Sequence, residues 1–198
     1  DMVVDAQGRA YIGSMGYDVF AGEAHAPGTI VLVSPDGNAR VVADQLEMPN
    51  GPVITPDHKT LIVAESFARR LAAFDIAPDG SLSGRRVFAE LGEGVPDGIC
   101  LDAEGAVWVS SPFTHEFVRV REGGAIAERI PLSGKLAVAC MLGGEDRRTL
   151  FLLTAETSRL ISPRSLRERW VFSYRLAFWI AAAACAAIDF ARSARSAL

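Results

Sequence analysis

The chain is expected to be all-β, a partial β-propeller. Two observations predict this: a strand–turn–strand unit that recurs about every forty-five residues, and acidic or glycine-bearing turns at matching places within each unit. A third observation bounds the propeller: the rhythm stops near Leu160, and an arginine- and alanine-rich stretch follows.

The first unit opens Asp1-Met-Val-Val-Asp5-Ala-Gln-Gly-Arg-Ala-Tyr-Ile-Gly. The second opens Asn50-Gly-Pro-Val-Ile-Thr55-Pro-Asp-His-Lys-Thr-Leu-Ile-Val, and the third Asp97-Gly-Ile-Cys-Leu-Asp102-Ala-Glu-Gly-Ala-Val-Trp-Val. A fainter fourth begins Ala139-Cys-Met-Leu-Gly-Gly144-Glu-Asp. Each places a short apolar strand, a turn and a second apolar strand in that order. Gly, Asn and Asp mark the turns because they tolerate the positive φ that tight hairpins need. A further strand pair follows: Thr29–Val33 and Ala39–Ala43 in the first unit, Leu71–Ile76 and Leu82–Phe88 in the second. Their hairpins are Ser-Pro-Asp-Gly-Asn and Ala-Pro-Asp-Gly-Ser. Four strands per self-similar unit is blade architecture, an order that an immunoglobulin-like sandwich lacks. About three and a half blades fit between Asp1 and Leu160, fewer than the four to eight of closed rings. Asp1 falls inside a strand-like repeat, so the chain is read as a fragment.

Residues 1–160 are therefore assigned to an incomplete propeller and residues 161–198 to an atypical tail. Residues 170–190 are apolar and alanine-rich, with helix propensity. The uninterrupted apolar run, Leu176–Ile188, is 13 residues, against the roughly 20 that span a bilayer. A membrane anchor is thus disfavoured. A changed reading frame or truncated gene model is the preferred origin of this tail.

Charge narrows the function. Six arginines and two acids lie after Leu160, which leaves 14 basic and 22 acidic side chains in the first 160 residues. An acidic body argues against nucleic-acid binding, which needs clustered Lys and Arg, and suits a protein that holds cations. The three cysteines, Cys100, Cys140 and Cys185, include no CxxC, so they read as buried thiols of a reducing, cytoplasmic compartment. His25, His58 and His115 read as loop or turn residues and no GxSxG occurs, so a Ser-His-Asp hydrolase is not supported. Ser66, Ser110 and Ser111 read as strand-end residues.

Register exposes a candidate site. Five positions ahead of the turn openers Thr55, Asp102 and Gly144 stand Asn50, Asp97 and Ala139. Equivalent positions of successive blades face the central channel, so Asn50 and Asp97 are expected to converge there, with Ala139 a gap. A carboxylate and an amide carbonyl are oxygen donors for a hard divalent cation such as Ca²⁺, Mg²⁺ or Mn²⁺, and less naturally for Zn²⁺. The bland alternative is that Asn50-Gly51 and Asp97-Gly98 are simple turns, as Pro35-Asp36-Gly37 and Pro78-Asp79-Gly80 are taken to be.

Met48-Pro49-Asn50-Gly51, the block from Pro96 to Gly105 with Trp108-Val109, and Asp1–Asp5 with Gly8-Arg9 together resemble the regucalcin (senescence marker protein)/gluconolactonase family, including the luciferin-regenerating enzymes. The resemblance implies a six-bladed propeller that opens sugar or related lactones with one divalent cation in its channel. It implies that Asn50 and Asp97 are metal ligands, that Asp97 is also the general base, and that Asp18 and Asp1 lie at the substrate. It further implies a first-blade Glu ligand, and an Arg and an Asn ahead of Asp1, none of which this chain contains. The rival expectations are a calcium- or protein-binding propeller without catalysis, and a non-functional remnant of a gene.

Overall fold

Successive residues along a strand face opposite sides of its sheet, and in this protein the two central sheets bury both. The computed structural model describes residues 1–18 and 21–156. Strands β1 (Met2–Val4), β2 (Ala10–Ser14), β3 (Gly28–Val33) and β4 (Ala39–Leu46) form one antiparallel sheet in chain order. Strands β5 (Pro49–Ile54), β6 (Thr60–Glu65), β7 (Arg70–Ile76) and β8 (Leu82–Glu90) form a second. Strands β9 (Ile99–Leu101), β10 (Val107–Ser111), β11 (Glu116–Val120) and β12 (Ile126–Pro131) form a third. Strands β13 (Lys135–Gly143) and β14 (Thr149–Glu156) pair as a two-stranded sheet. The expected three and a half blades are thus present among the described residues. The tail assigned to residues 161–198 lies outside them.

The period of two along each strand decides how the sheets stack. In the second sheet, Leu61, Val63, Ala72 and Phe74 pack with Tyr11, Ile30, Leu32 and Leu46 of the first. Their chain neighbours Ile62, Ala64, Leu71 and Ala73 point the other way, onto Ile99, Val107, Val109, Val118 and Val120 of the third. Cys100, Trp108 and Phe117 then meet Ala137 and Cys140 of β13. The outer strands β8 and β12 are largely exposed. The second and third sheets are therefore slabs with two apolar faces, the arrangement of blades around an axis.

The turns follow the sequence closely. Gly8 and Gly105 take positive φ in the first and third units, and His58 (φ 58°) and Arg147 (φ 56°) hold the matching places in the second and fourth. Asp5 and Asp102, which open two of these turns, are structural. Asp5 Oδ1 accepts the Gln7 and Arg9 backbone N–H at 2.9 Å each, and Asp102 Oδ1 accepts those of Glu104 (2.8 Å) and Ala106 (3.0 Å). Their second oxygens take Arg9 Nε at 2.7 Å and Arg119 Nε at 2.6 Å.

The strands that start each unit, β1, β5, β9 and β13, are one another's neighbours around the axis. They approach so closely that a side chain at certain points has no room. A Cβ on Gly51 would lie 2.7 Å from Ile99 N and 2.9 Å from Asp97 O, and one on Gly98 would lie 2.9 Å from Ala139 Cα. Gly98 N–H donates to Val138 O at 3.2 Å, which ties the third sheet to the fourth.

Candidate active site

The Pro-Asp-Gly tripeptide occurs three times, and the backbone separates them. Gly37 and Gly80 adopt φ +86° and +84° in the β3–β4 and β7–β8 hairpins, as tight turns require. Gly98 and Gly51 stand outside that left-handed region. Their glycine is demanded by the approach of the next inner strand, not by a turn. Asp97 and Asn50 therefore sit at the heads of adjacent inner strands rather than at hairpin tips.

There the Asn50 side chain neighbours the Asp97 carboxylate and helps to hold its pKa down. Asn50 Nδ2 also donates to Ser66 Oγ at 3.4 Å, while Asn50 Oδ1 accepts the Gly51 N–H at 3.0 Å. Asp97 keeps part of its surface in contact with solvent. Desolvation by the packed strands nevertheless pushes its pKa up to about 6, opposed by the neighbouring Asn50 side chain.

Two serines hold this segment. Ser66 Oγ donates to Pro96 O at 2.7 Å, and Ser110 Oγ donates to Gly98 O at 2.7 Å. The backbone adds Asp97 N–H to Ser110 O (2.9 Å) and Ser110 N–H to Gly98 O (3.0 Å). Both serines are buried. Sequence reasoning took them only as strand ends. The available signal was serine at the end of the second strand in consecutive units, opposite the Asn and Asp positions.

The other expected residues are placed differently. Ala139 adjoins Gly98 and brings no oxygen side chain to the ring. Asp1 lies beside the site, and its carbonyl accepts the Gly13 N–H at 3.0 Å. Asp18 is exposed on the β2–β3 loop, where its Oδ1 accepts the Ala21 N–H at 3.0 Å and its own N–H donates to Glu23 Oε2 at 2.7 Å. His25 pairs with Glu47 at 2.9 Å, while His58 and His115 sit at positive φ in turns; none joins a serine to an acid. No helix among the described residues is long and apolar enough to cross a membrane.

The model of the SMP-30/gluconolactonase/LRE-like region matches residues 1–156. The chain belongs to this family. Among its relatives, zebrafish (Danio rerio) regucalcin is 30% identical over 159 residues, covering 78% of this chain and 53% of the relative. Rabbit (Oryctolagus cuniculus) regucalcin is 30% identical over 175 residues, covering 85% and 58%. A gluconolactonase from Xanthomonas campestris, solved as a structure, aligns with a TM-score of 0.64 at 27% identity, over 79% of this chain and 53% of its own. A calcium-binding protein, regucalcin, from Agrobacterium tumefaciens aligns at 0.68 and 24% identity, over 85% and 56%, and at that identity speaks for the fold. The family member described here spans little more than half the length of these relatives.

Proposed function

We propose that this chain carries part of the site of a divalent-cation-dependent lactonase, with Asn50 and Asp97 as oxygen ligands and Asp97 as general base. One observation carries the reading: at the heads of neighbouring inner strands, an amide stands beside a carboxyl with a pKa near 6. Membership of a family named for gluconolactonase supports the substrate class.

The donor set suits a hard cation, since both groups offer oxygen and neither offers sulfur or imidazole. It is also short. Among the described residues no group of three or more His, Cys, Asp or Glu could hold a metal ion. Asn50 Oδ1 accepts the Gly51 N–H, which leaves its second lone pair for a cation. A bound cation would supply Lewis-acid polarisation of the lactone carbonyl. The remaining work falls to the chain. Asp97, with a pKa near 6, is largely ionised at neutral pH and basic enough to take a proton from an attacking water. Addition of that water to the carbonyl and cleavage of the ring C–O bond yield a hydroxy acid, with the proton passing to the departing alkoxide. Ser66 and Ser110 fix the Pro96–Gly98 backbone, which sets where the Asp97 carboxylate points. Asp18 and Asp1 are proposed to meet substrate hydroxyls.

The test is δ-lactone opening by the full chain with Mn²⁺ or Ca²⁺, followed by pH-stat. Loss of turnover in Asp97→Ala is expected; turnover unchanged by that substitution rules out the role. A second reading, cation binding without catalysis, is favoured by the short donor set. It predicts saturable Ca²⁺ binding with no lactone opening.

A further inference from the structure

We propose that Cys100 and Cys140 form a reversible disulfide that fastens β9 to β13 beneath the Asp97 segment. The two residues are 40 apart in sequence, and their sulfurs lie 3.7 Å apart. Both are free thiols and buried, at 3% and 4% exposure. They stand on adjacent inner strands, already tied by the Gly98 N–H to Val138 O hydrogen bond at 3.2 Å. Their neighbours are Trp108, Phe117 and Ala137. A pair of facing thiols in an apolar layer between two sheets needs only a modest approach of the sulfurs to reach bonding distance. The site is asymmetric: the Cys100 thiol is pushed down, first by its hydrogen bond with Cys140 and then by the Leu142 backbone, while the same contact and burial push Cys140 up. Cys140 Sγ also lies 3.5 Å from Trp108 O and 3.9 Å from Gly98 O, the carbonyl next to Asp97. Oxidation removes the Cys140 S–H, whose nearer carbonyl acceptor is Trp108 O.

The oxidant is a low-molecular-weight disulfide of the glutathione class. The Cys100 thiolate attacks one of its sulfurs; that S–S bond breaks, a mixed disulfide forms and one thiolate leaves. Cys140, its proton lost to solvent, attacks the Cys100 sulfur and expels the second thiolate. Two electrons pass from the cysteine pair to the reagent, which ends as two thiols. Because both sulfurs are buried, the first attack needs local opening of the β13–β14 sheet, and the reaction is slow in the folded chain.

The test uses the full chain, incubated with glutathione disulfide or with dithiothreitol, then alkylated under denaturing conditions and mapped by peptide mass spectrometry. The expected result is a linked peptide pair containing Cys100 and Cys140, formed within one chain and absent after dithiothreitol. The oxidised chain should melt roughly 5–15 °C higher than the reduced one, as closing a loop of this length implies. Cys140→Ser should leave Cys100 able to form only a mixed disulfide. Linkage of either residue to Cys185 or to a second chain overturns the proposal. So does recovery of both thiols fully alkylated under conditions that oxidise the urea-unfolded chain. The wild-type map decides the matter even if the variant does not fold.

Discussion

Asn50 and Asp97, 47 positions apart in the chain, stand at the heads of neighbouring inner strands, where the Asn50 side chain helps to hold the Asp97 pKa down. Neither lies in a hairpin, and each is followed by a glycine whose Cβ would strike the next inner strand. This pairing sets a partly dehydrated acid beside an amide.

The raised pKa of Asp97 has a definite sign. The folded state holds its proton up to about pH 6, whereas the unfolded state releases it near 3.8. The contribution of Asp97 to stability is therefore greatest below about pH 4 and is lost as pH rises through 6. The loss is at most roughly 3 kcal/mol. Urea midpoints of wild type and Asp97→Asn, compared at pH 4 and pH 7, should show the variant gaining relative stability at pH 7.

Divalent cations should reverse that loss. A cation at the carboxylate favours its ionised form, so Mn²⁺ or Ca²⁺ should raise the melting temperature more at pH 7.5 than at pH 5. A shift of equal size at both values would count against Asp97 as the ligand.

Ser66→Ala removes the hydroxyl that both accepts from Asn50 and donates to the buried Pro96 carbonyl. About 1–2 kcal/mol of stability should be lost, measured by urea unfolding, with weakened cation binding alongside. Ser111→Ala, at the neighbouring strand end, should affect binding less.

Gly98→Ala places a methyl group 2.9 Å from Ala139 Cα, where backbone must shift. A cost of about 1–3 kcal/mol is expected, read from the denaturation midpoint. Gly105→Ala, which meets no atom within 4 Å but sits at φ +78°, should cost about 1 kcal/mol through backbone strain alone.

Glu65 is fully buried at the end of β6, held by Arg70 Nε and Arg85 Nη2 at 2.7 Å each. Both arginines are partly solvated, so removing the acid leaves them costly but not stranded. Glu65→Ala should lose about 3 kcal/mol by urea unfolding without altering the pH dependence assigned to Asp97.

Much of this was legible in the sequence for a physical reason. Strand period and turn chemistry are local, so the β3–β4 and β7–β8 hairpins, with Gly37 and Gly80, could be read directly. Register between repeats carried the pairing of Asn50 with Asp97, because equivalent positions in successive blades meet at the axis. The role of the glycines was not legible. Asn-Gly and Asp-Gly look the same whether φ or a neighbouring strand demands the glycine, and only the packing of β5 on β9 and β9 on β13 separates the two. The clips from Ser66 and Ser110 were hidden likewise, since they join a strand end to a backbone carbonyl of the segment leading into another strand. The facing of Cys100 and Cys140 depends on which faces of two blades touch, which an odd cysteine count obscured.

The most direct test of the central claim is calorimetric titration of the full chain with Mn²⁺ and Ca²⁺ at pH 7.5, in wild type, Asn50→Ala and Asp97→Asn. Saturable one-site binding that weakens at least tenfold in each variant is predicted. Wild-type affinity retained in Asp97→Asn would contradict the assignment of the cation to this site.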